Sequence, residues 1–175
     1  MKKELEKFNE KIRSAYNLEK DKFEALNITV EDLELWNKKL IEANQKIELA
    51  IKNGELPEDT PTFAFPIHIE TGKIPLERLK RGVKNAENLT IEKLKESLRK
   101  KYYDFIAEVC NEETVKYAKI ALKDVPIMKI REEIMEEFQY LYFVCIEEEK
   151  EVSFDFNSWL INKIKELGYI TKDVM

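Results

Sequence analysis

The chain has 175 residues, and its 30 basic and 35 acidic side chains leave a formal net charge of −5. This charge is too small to mark the chain as a polyanion-binding protein by composition alone. Glycine (4) and proline (5) are scarce while Lys and Glu dominate the charged 37%, which is typical of helix-rich proteins. We therefore expect a mainly α fold: a helical bundle of about six or seven helices, with an N-terminal helical hairpin and a small extended or β-hairpin element near residues 62–74.

Nothing in the sequence indicates export or membrane insertion. Residues 1–11 are charged throughout and lack the apolar core of a secretory signal, and no run reaches the length of about eighteen apolar residues that a membrane-spanning helix needs. The two cysteines, Cys110 and Cys145, lie among apolar neighbours and lack the spacing of a metal site or a redox pair. We expect a cytoplasmic protein with no membrane association.

The N-terminal part, residues 1–54, is predicted to form the helical hairpin. Apolar residues recur at helical spacing over residues 3–25 and again over residues 30–53. Thr29, with Asp32 three residues later, is an N-cap pattern for the second helix. Two amphipathic helices joined by a short break usually fold back on each other.

Residues 55–75 are predicted to be a proline-rich connecting segment. They follow Gly54, a residue typical of left-handed helix ends, and they hold four of the five prolines, which exclude a helix. Apolar residues alternate with others over residues 63–70, which is strand spacing, and Thr71 and Gly72 form a turn signal. Two interpretations stay open: a small edge strand or hairpin, and an ordered loop held to the body by its aromatic side chains.

Residues 76–175 are predicted to be the main helical domain, built around residues 126–146. This stretch is amphipathic at first and apolar on every face from Phe138 onwards. Because burying each large apolar side chain stabilises the fold by about 1.5–3 kcal/mol, we expect the whole stretch at the centre of the bundle. Asn111 is the predicted N-cap of one helix of this domain, and Asn157 or Ser158 is the predicted N-cap of the last helix.

Several kinds of active site are excluded by residue counts. His68 is the only histidine, so one chain cannot build a metal site from several histidines, and no nucleophile motif lies near it. The four glycines never cluster, which excludes the glycine-rich loops that bind nucleotide phosphates. We therefore expect a non-enzymatic protein with no catalytic residues, no metal site and no cofactor.

The first functional hypothesis is protein–protein interaction, in the role of an adaptor, assembly factor, small subunit or inhibitor. A helical hairpin with surplus apolar residues and a loop rich in aromatics are surfaces that bind another protein or a second copy. The candidate partner-binding residues are Trp36, Leu40, Ile47, Phe63 and Phe65.

The second hypothesis is association with nucleic acid through a basic region. Residues 73–101 contain ten basic and four acidic side chains, and basic residues beside a tyrosine are the general form of a surface that binds phosphates and stacks on bases. Glu92 and Glu96 interleave with the lysines and equally fit ordinary ion pairs along a helix. The candidate contacts are Arg78, Lys80, Arg81, Lys84, Arg99, Lys100, Lys101 and Tyr103.

A third hypothesis concerns the acidic residues 132–155, which hold nine acidic side chains and one basic one. A solvated helix face accounts for such a run. The functional alternative is a surface that imitates a nucleic-acid backbone and blocks a basic site on another protein. Its candidate residues are Glu132, Glu133, Glu136 and Glu137.

Overall fold

The computed structural model of the chain describes residues 2–147 and 154–169. These residues are mainly helical and none of them forms a strand, so the predicted helical bundle is confirmed. Among them, no helix combines the length and the apolarity that crossing a bilayer requires.

The described residues fall into two compact units, each with its own hydrophobic core. The N-terminal unit consists of residues 2–53 and 58–91, and the C-terminal unit consists of residues 54–57, 92–147 and 154–169.

The helices of the N-terminal unit are α1 (Lys2–Leu18), α2 (Lys20–Ala25), α3 (Val30–Lys52) and α4 (Leu76–Glu87). Helices α1 and α3 lie side by side and run in opposite directions, as expected for the hairpin. The Nε atom of Arg13 lies 3.0 Å from a carboxylate oxygen of Glu34. The Tyr16 hydroxyl donates a hydrogen bond to the Ile28 carbonyl at 3.2 Å.

Helix α3 begins with the predicted cap. The Asp32 N–H donates to the Thr29 hydroxyl oxygen at 3.2 Å, and the Thr29 N–H donates to the Asp32 carboxylate at 2.9 Å, which together form a capping box. Gly54, at φ 75°, follows the end of the helix. The buried face of α3 fills the core of the N-terminal unit through Leu33, Leu40 and Ala43.

The predicted β-hairpin near residues 62–74 is wrong, because the chain there forms an ordered loop. The His68 N–H donates to the Lys73 carbonyl and the Gly72 N–H donates to the His68 carbonyl, both at 2.8 Å, which closes a tight turn. The backbone of Phe63 bonds to a side chain of α3 instead of a neighbouring strand, and Pro66 has no N–H to donate. The side chains of Phe63, Phe65 and Ile67 pack against the core, as the alternative interpretation predicted.

Helix α4 packs on α3, and Lys39 and Glu87 form an ion pair between them. Residues 58–75 and α4 therefore belong to the N-terminal unit. This division of the chain differs from the predicted one, which gave the connecting segment a place of its own and began the main domain at residue 76.

The helices of the C-terminal unit are α5 (Ile91–Val109, all but its first residue), α6 (Glu112–Ala121), α7 (Ile127–Ile130), α8 (Glu136–Glu147) and α9 (Phe156–Glu166). A π-helical segment, Arg131–Met135, joins α7 to α8. Asn111 caps α6 as predicted. The cap of α9 is Asp155, which accepts from the Ser158 N–H at 3.1 Å, and the predicted cap at Asn157 or Ser158 was wrong.

Phe138 lies at the centre of the C-terminal core. Its side chain is fully buried, and its ring centroid lies 5.6 Å from that of Phe105, 5.6 Å from that of Phe156 and 5.8 Å from that of Trp159. Such aromatic contacts add to the stabilisation from buried area. The preceding turns bury Ile127, Ile130, Ile134 and Met135 in the same core.

Beyond Phe138 the prediction of complete burial is wrong. Tyr140, Phe143 and Ile146 are 66%, 59% and 55% exposed. The reason is geometric: a helix at the edge of a unit turns only one side towards its neighbours, and here that side carries Tyr142, whose ring lies 5.2 Å from the Phe105 ring. Val152, Phe154 and Phe156 alternate with polar residues, which predicts a short extended segment after residue 146. Phe156 instead begins α9, and residues 148–153 lie outside the described residues.

We expect Phe138→Ala to lower the free energy of unfolding by about 3–5 kcal/mol, because the substitution leaves a cavity in the C-terminal core. Phe143→Ala, on the exposed side of the same helix, should change it by less than about 0.5 kcal/mol. Each unit holds one of the two tryptophans. Trp159 fluorescence in a Trp36→Phe background therefore follows the C-terminal unit during denaturant unfolding. Equal losses from the two alanine variants would contradict the assignment of this core.

Candidate functional site

The structure divides the predicted partner-binding residues between core and surface. Leu40 and Ile47 are buried within the fold, so their side chains are not available to a partner. Trp36, Phe63 and Phe65 are half-buried and pack against the core of the N-terminal unit. Of the five, Phe65 lies on the wall of a large concave surface.

The loop that carries Phe65 is fixed by a side chain of α3. The amide of Asn44 donates to the Phe63 carbonyl at 2.6 Å and accepts from the Phe63 N–H at 2.7 Å. Two residues further on, the Phe65 ring meets the Phe8 ring of α1 edge to face, with centroids 5.7 Å apart. Asn44 and Phe8 thus hold Phe65 between α1 and α3.

A groove of about 740 Å³ lies between α1, α3 and residues 64–65. Its apolar lining comes from Leu5 and Phe8 on α1, Ile41 on α3, and Phe65. This volume and this apolar lining are typical of sites that bind a ligand or a partner's side chains. Exposed polar residues also border the groove: Lys2, Glu4, Lys38, Glu42 and Gln45.

Asn37 is the polar residue of the groove that the sequence analysis missed. Its side chain is 4% exposed, it lines the groove, and its Nδ2 atom has no hydrogen-bond partner among the described residues. A buried donor without a partner costs about 1–3 kcal/mol. The sequence contains a signal for it, since Asn37 falls between Leu33 and Leu40 on the apolar stripe of α3.

A second concave surface lies on the other side of the Phe8 and Phe65 pair. It has a volume of about 850 Å³ and is bordered by α1 and the loop that includes His68 and Ile69. Ile69 is fully exposed at the turn, and Leu18 at the end of α1 is largely exposed. The aromatic pair therefore separates two apolar hollows on one unit.

The basic candidate residues are divided between the two units. Arg78, Lys80, Arg81 and Lys84 are exposed on α4 of the N-terminal unit, whereas the other four lie on α5 of the C-terminal unit. On α5, Arg99 donates to the Leu122 and Val125 carbonyls at 2.7 and 2.6 Å, so its guanidinium holds the chain after α6.

Tyr103 is not placed to stack on a base. Its side chain is buried in the C-terminal core at 8% exposure, and the Nζ atom of Lys119 lies 6.0 Å from its ring centroid. Lys100 and Lys101 are exposed beside it in sequence. Of the four candidate nucleic-acid contacts on α5, Lys100 and Lys101 therefore remain exposed to solvent.

The acidic candidate residues mostly have partners within the C-terminal unit. Glu137 pairs with Lys163 at 3.1 Å and Glu136 with Arg131 at 3.6 Å. Glu133 accepts from the Tyr169 hydroxyl at 2.7 Å, and this hydrogen bond raises the pKa of Tyr169. Glu132 is exposed. Within residues 2–147 and 154–169, no three potential metal-ligating side chains cluster.

Both cysteines are free thiols. Cys110 is buried, and this burial, together with the charge of Asp155, raises the pKa of its thiol to about 11. A thiol with this pKa stays protonated at neutral pH and is a poor nucleophile.

We expect Asn44→Ala to destabilise the N-terminal unit by about 1–3 kcal/mol, since it removes both partners of the Phe63 backbone. Limited proteolysis should then cleave residues 58–75 faster. Gln45→Ala changes the neighbouring, exposed residue and should affect neither stability nor cleavage. If the two variants behave alike, Asn44 does not anchor the loop.

We expect alkylation of Cys110 to be slow at pH 8 and to accelerate as the pH rises towards 11. With a pKa of about 11, only about one thiol in a thousand is ionised at pH 8. Mass spectrometry of a Cys145→Ser variant treated with iodoacetamide measures this rate, and the same variant in denaturant is the control. A folded rate that matches the unfolded rate at pH 8 would contradict the raised pKa.

In comparisons with known proteins, no protein-family model, no curated protein and no solved structure matches the chain. The candidate sites therefore rest on the chemistry and geometry of the described residues.

Proposed function

We propose that this chain is a non-enzymatic protein that binds an amphipathic helix of another protein in the groove between α1, α3 and Phe65. The observation that carries this proposal is an apolar groove of about 740 Å³ with an unpartnered, buried amide donor on its wall. The partner's apolar side chains would fill the groove, and one hydrogen-bond acceptor on it would bond to Asn37.

The arrangement of the lining supports a helix as the occupant. Asn37, Ile41 and Gln45 are spaced four residues apart on α3, and Leu5 and Phe8 face them from α1. The row on α3 spans about 12 Å at the rise of an α-helix. A partner helix of two to three turns, lying between the antiparallel helices α1 and α3, would form a three-helix bundle with them. This is a common way to bury an apolar groove between two helices.

The polar border supports recognition by mixed charges. Lysine and glutamate alternate around the groove, with Lys2 and Glu4 on α1 and Lys38 and Glu42 on α3. A partner helix with charges of both signs flanking its apolar face matches this border better than a uniformly charged ligand does. Asn37 adds a requirement for an acceptor such as Asn, Gln or Ser on the buried face.

The other hypotheses have less support. The basic region of residues 73–101 has Arg99 committed to backbone carbonyls and Tyr103 buried. In the acidic region, Glu133, Glu136 and Glu137 contact neighbouring side chains. Arg99 and Tyr103 are therefore engaged within the C-terminal unit, and the ion pairs of Glu136 and Glu137 offset part of the negative charge of the acidic region.

A display selection tests the proposal. Helical peptides selected on the full chain should bind about tenfold or more weakly to Ile41→Lys, which places a charge in the apolar groove. Leu49→Lys introduces the same charge on an exposed position of the same helix, outside the groove, and should bind as well as the parent. Circular dichroism melting checks that both variants are folded.

Asn37→Leu sharpens the test, because it keeps the branched shape and the number of non-hydrogen atoms of the side chain and removes the donor. Peptides with an acceptor on their apolar face should lose affinity for this variant, whereas purely apolar ones should not. Peptides that bind Ile41→Lys and the parent equally would overturn the groove as the site. If the chain forms a concentration-dependent dimer that Ile41→Lys disrupts, the occupant of the groove is a second copy of this chain and not another protein.

A further inference from the structure

A smaller cleft on the N-terminal unit lies between α4 and residues 62–66. It has a volume of about 380 Å³, and α4 contributes Arg78, Arg81, Gly82 and Asn85 to its lining. These positions share one face of the helix, because residues three, four and seven apart are neighbours on a helix surface. No carboxylate lines the cleft.

The two arginines of the cleft have no partner within the described residues. Neither Arg78 nor Arg81 makes an ion pair or a hydrogen bond there. Other arginines in the described residues do: Arg13 pairs with a glutamate, and Arg99 binds two carbonyls. Two unneutralised guanidinium groups on one face leave the cleft with a local positive charge.

Gly82 leaves the backbone of α4 open at the cleft. Glycine is unfavourable inside a helix, and a Cβ atom added here would meet no atom within 4 Å, so packing does not require a glycine. Glycine is commonly found where a ligand approaches the backbone closely. An open backbone next to Arg81 and one turn beyond Arg78 is therefore suited to a ligand that lies against the helix.

Both walls of the cleft are firmly placed. Leu76, Leu79 and Val83 of α4 are buried in the core. The opposite wall is the loop that Asn44 holds through the Phe63 backbone. The backbone on both sides of the cleft is therefore fixed, so only the exposed arginine side chains have to be ordered when a ligand binds.

We propose that this cleft binds a phosphate group. The planar guanidinium forms paired hydrogen bonds to phosphate oxygens, and two guanidinium groups match the charge of a phosphate dianion. The Asn85 amide supplies a neutral donor one turn further along α4. The proposal does not depend on the groove, because the two linings have only Ala64 in common and no residue of α4 lines the groove.

Calorimetric titration of the full chain with inorganic phosphate tests the site. We expect saturable binding that weakens about tenfold or more in Arg78→Gln and in Arg81→Gln, the usual effect of losing a hydrogen bond to a charged group. Lys80→Gln and Lys84→Gln remove the same charge from the same helix but do not line the cleft, and they should change the affinity less than about twofold. Equal weakening in all four variants would show that the cleft is not the binding site and that phosphate is attracted only by the overall positive charge of α4.

A short single-stranded oligonucleotide, titrated in parallel, distinguishes the source of the phosphate. Tight binding of the oligonucleotide with the same dependence on Arg78 and Arg81 would identify the phosphodiester backbone as the ligand. Saturable binding of inorganic phosphate alone would identify a small phosphorylated molecule. If neither probe binds, the proposal fails.

Gly82→Ala separates a binding role from a structural one. Alanine is the better helix former, so the unfolding temperature should rise by about 2–4 °C. The added methyl group should at the same time weaken phosphate binding, because it occupies the open side of the helix. A variant that is more stable and binds phosphate as well as the parent would show that the ligand does not approach α4 here.

Discussion

The pair of hydrogen bonds between Asn44 and the backbone of Phe63 decides where the surface features of the N-terminal unit lie. They satisfy an N–H and a C=O that no strand serves, and they fix the irregular loop to α3 at Phe63. Phe65 then meets Phe8, and the loop becomes a wall of both the apolar groove and the arginine cleft. One amide therefore determines the shape of two surfaces.

Two of the three predicted helix caps are correct, because the chemistry of a cap is local. Thr29 with Asp32 and Asn111 lie at helix starts as expected, because their bonding partners are three residues away. Alternation over residues 63–70 was misleading, since strand spacing acquires meaning only through a neighbouring strand. Phe143 is a second case in which the sequence pattern was insufficient. An apolar side chain prefers to be buried, but it is buried only where neighbouring helices cover it.

The candidate sites were harder to predict because they depend on contacts between distant residues. The basic pattern grouped Arg99 with Arg81, although the first binds carbonyls more than twenty residues away and the second has no partner in the described part of the chain. Leu40 was predicted to contact a partner because of its position on the apolar stripe of α3. Its side chain is buried in the core instead. Asn37 was predictable in principle, since a polar residue on an apolar stripe indicates either a buried hydrogen bond or a site.

The loop around Ala64 has a thermodynamic implication, because Ala64 borders the groove and the cleft at once. Any occupant that displaces this loop on one side alters the geometry on the other. Linkage then requires the influence to be mutual: the factor by which the first occupant changes the affinity for the second equals the factor in the reverse direction. Were both proposed sites occupied, the coupling between them would act through this loop and would require no contact with the C-terminal unit.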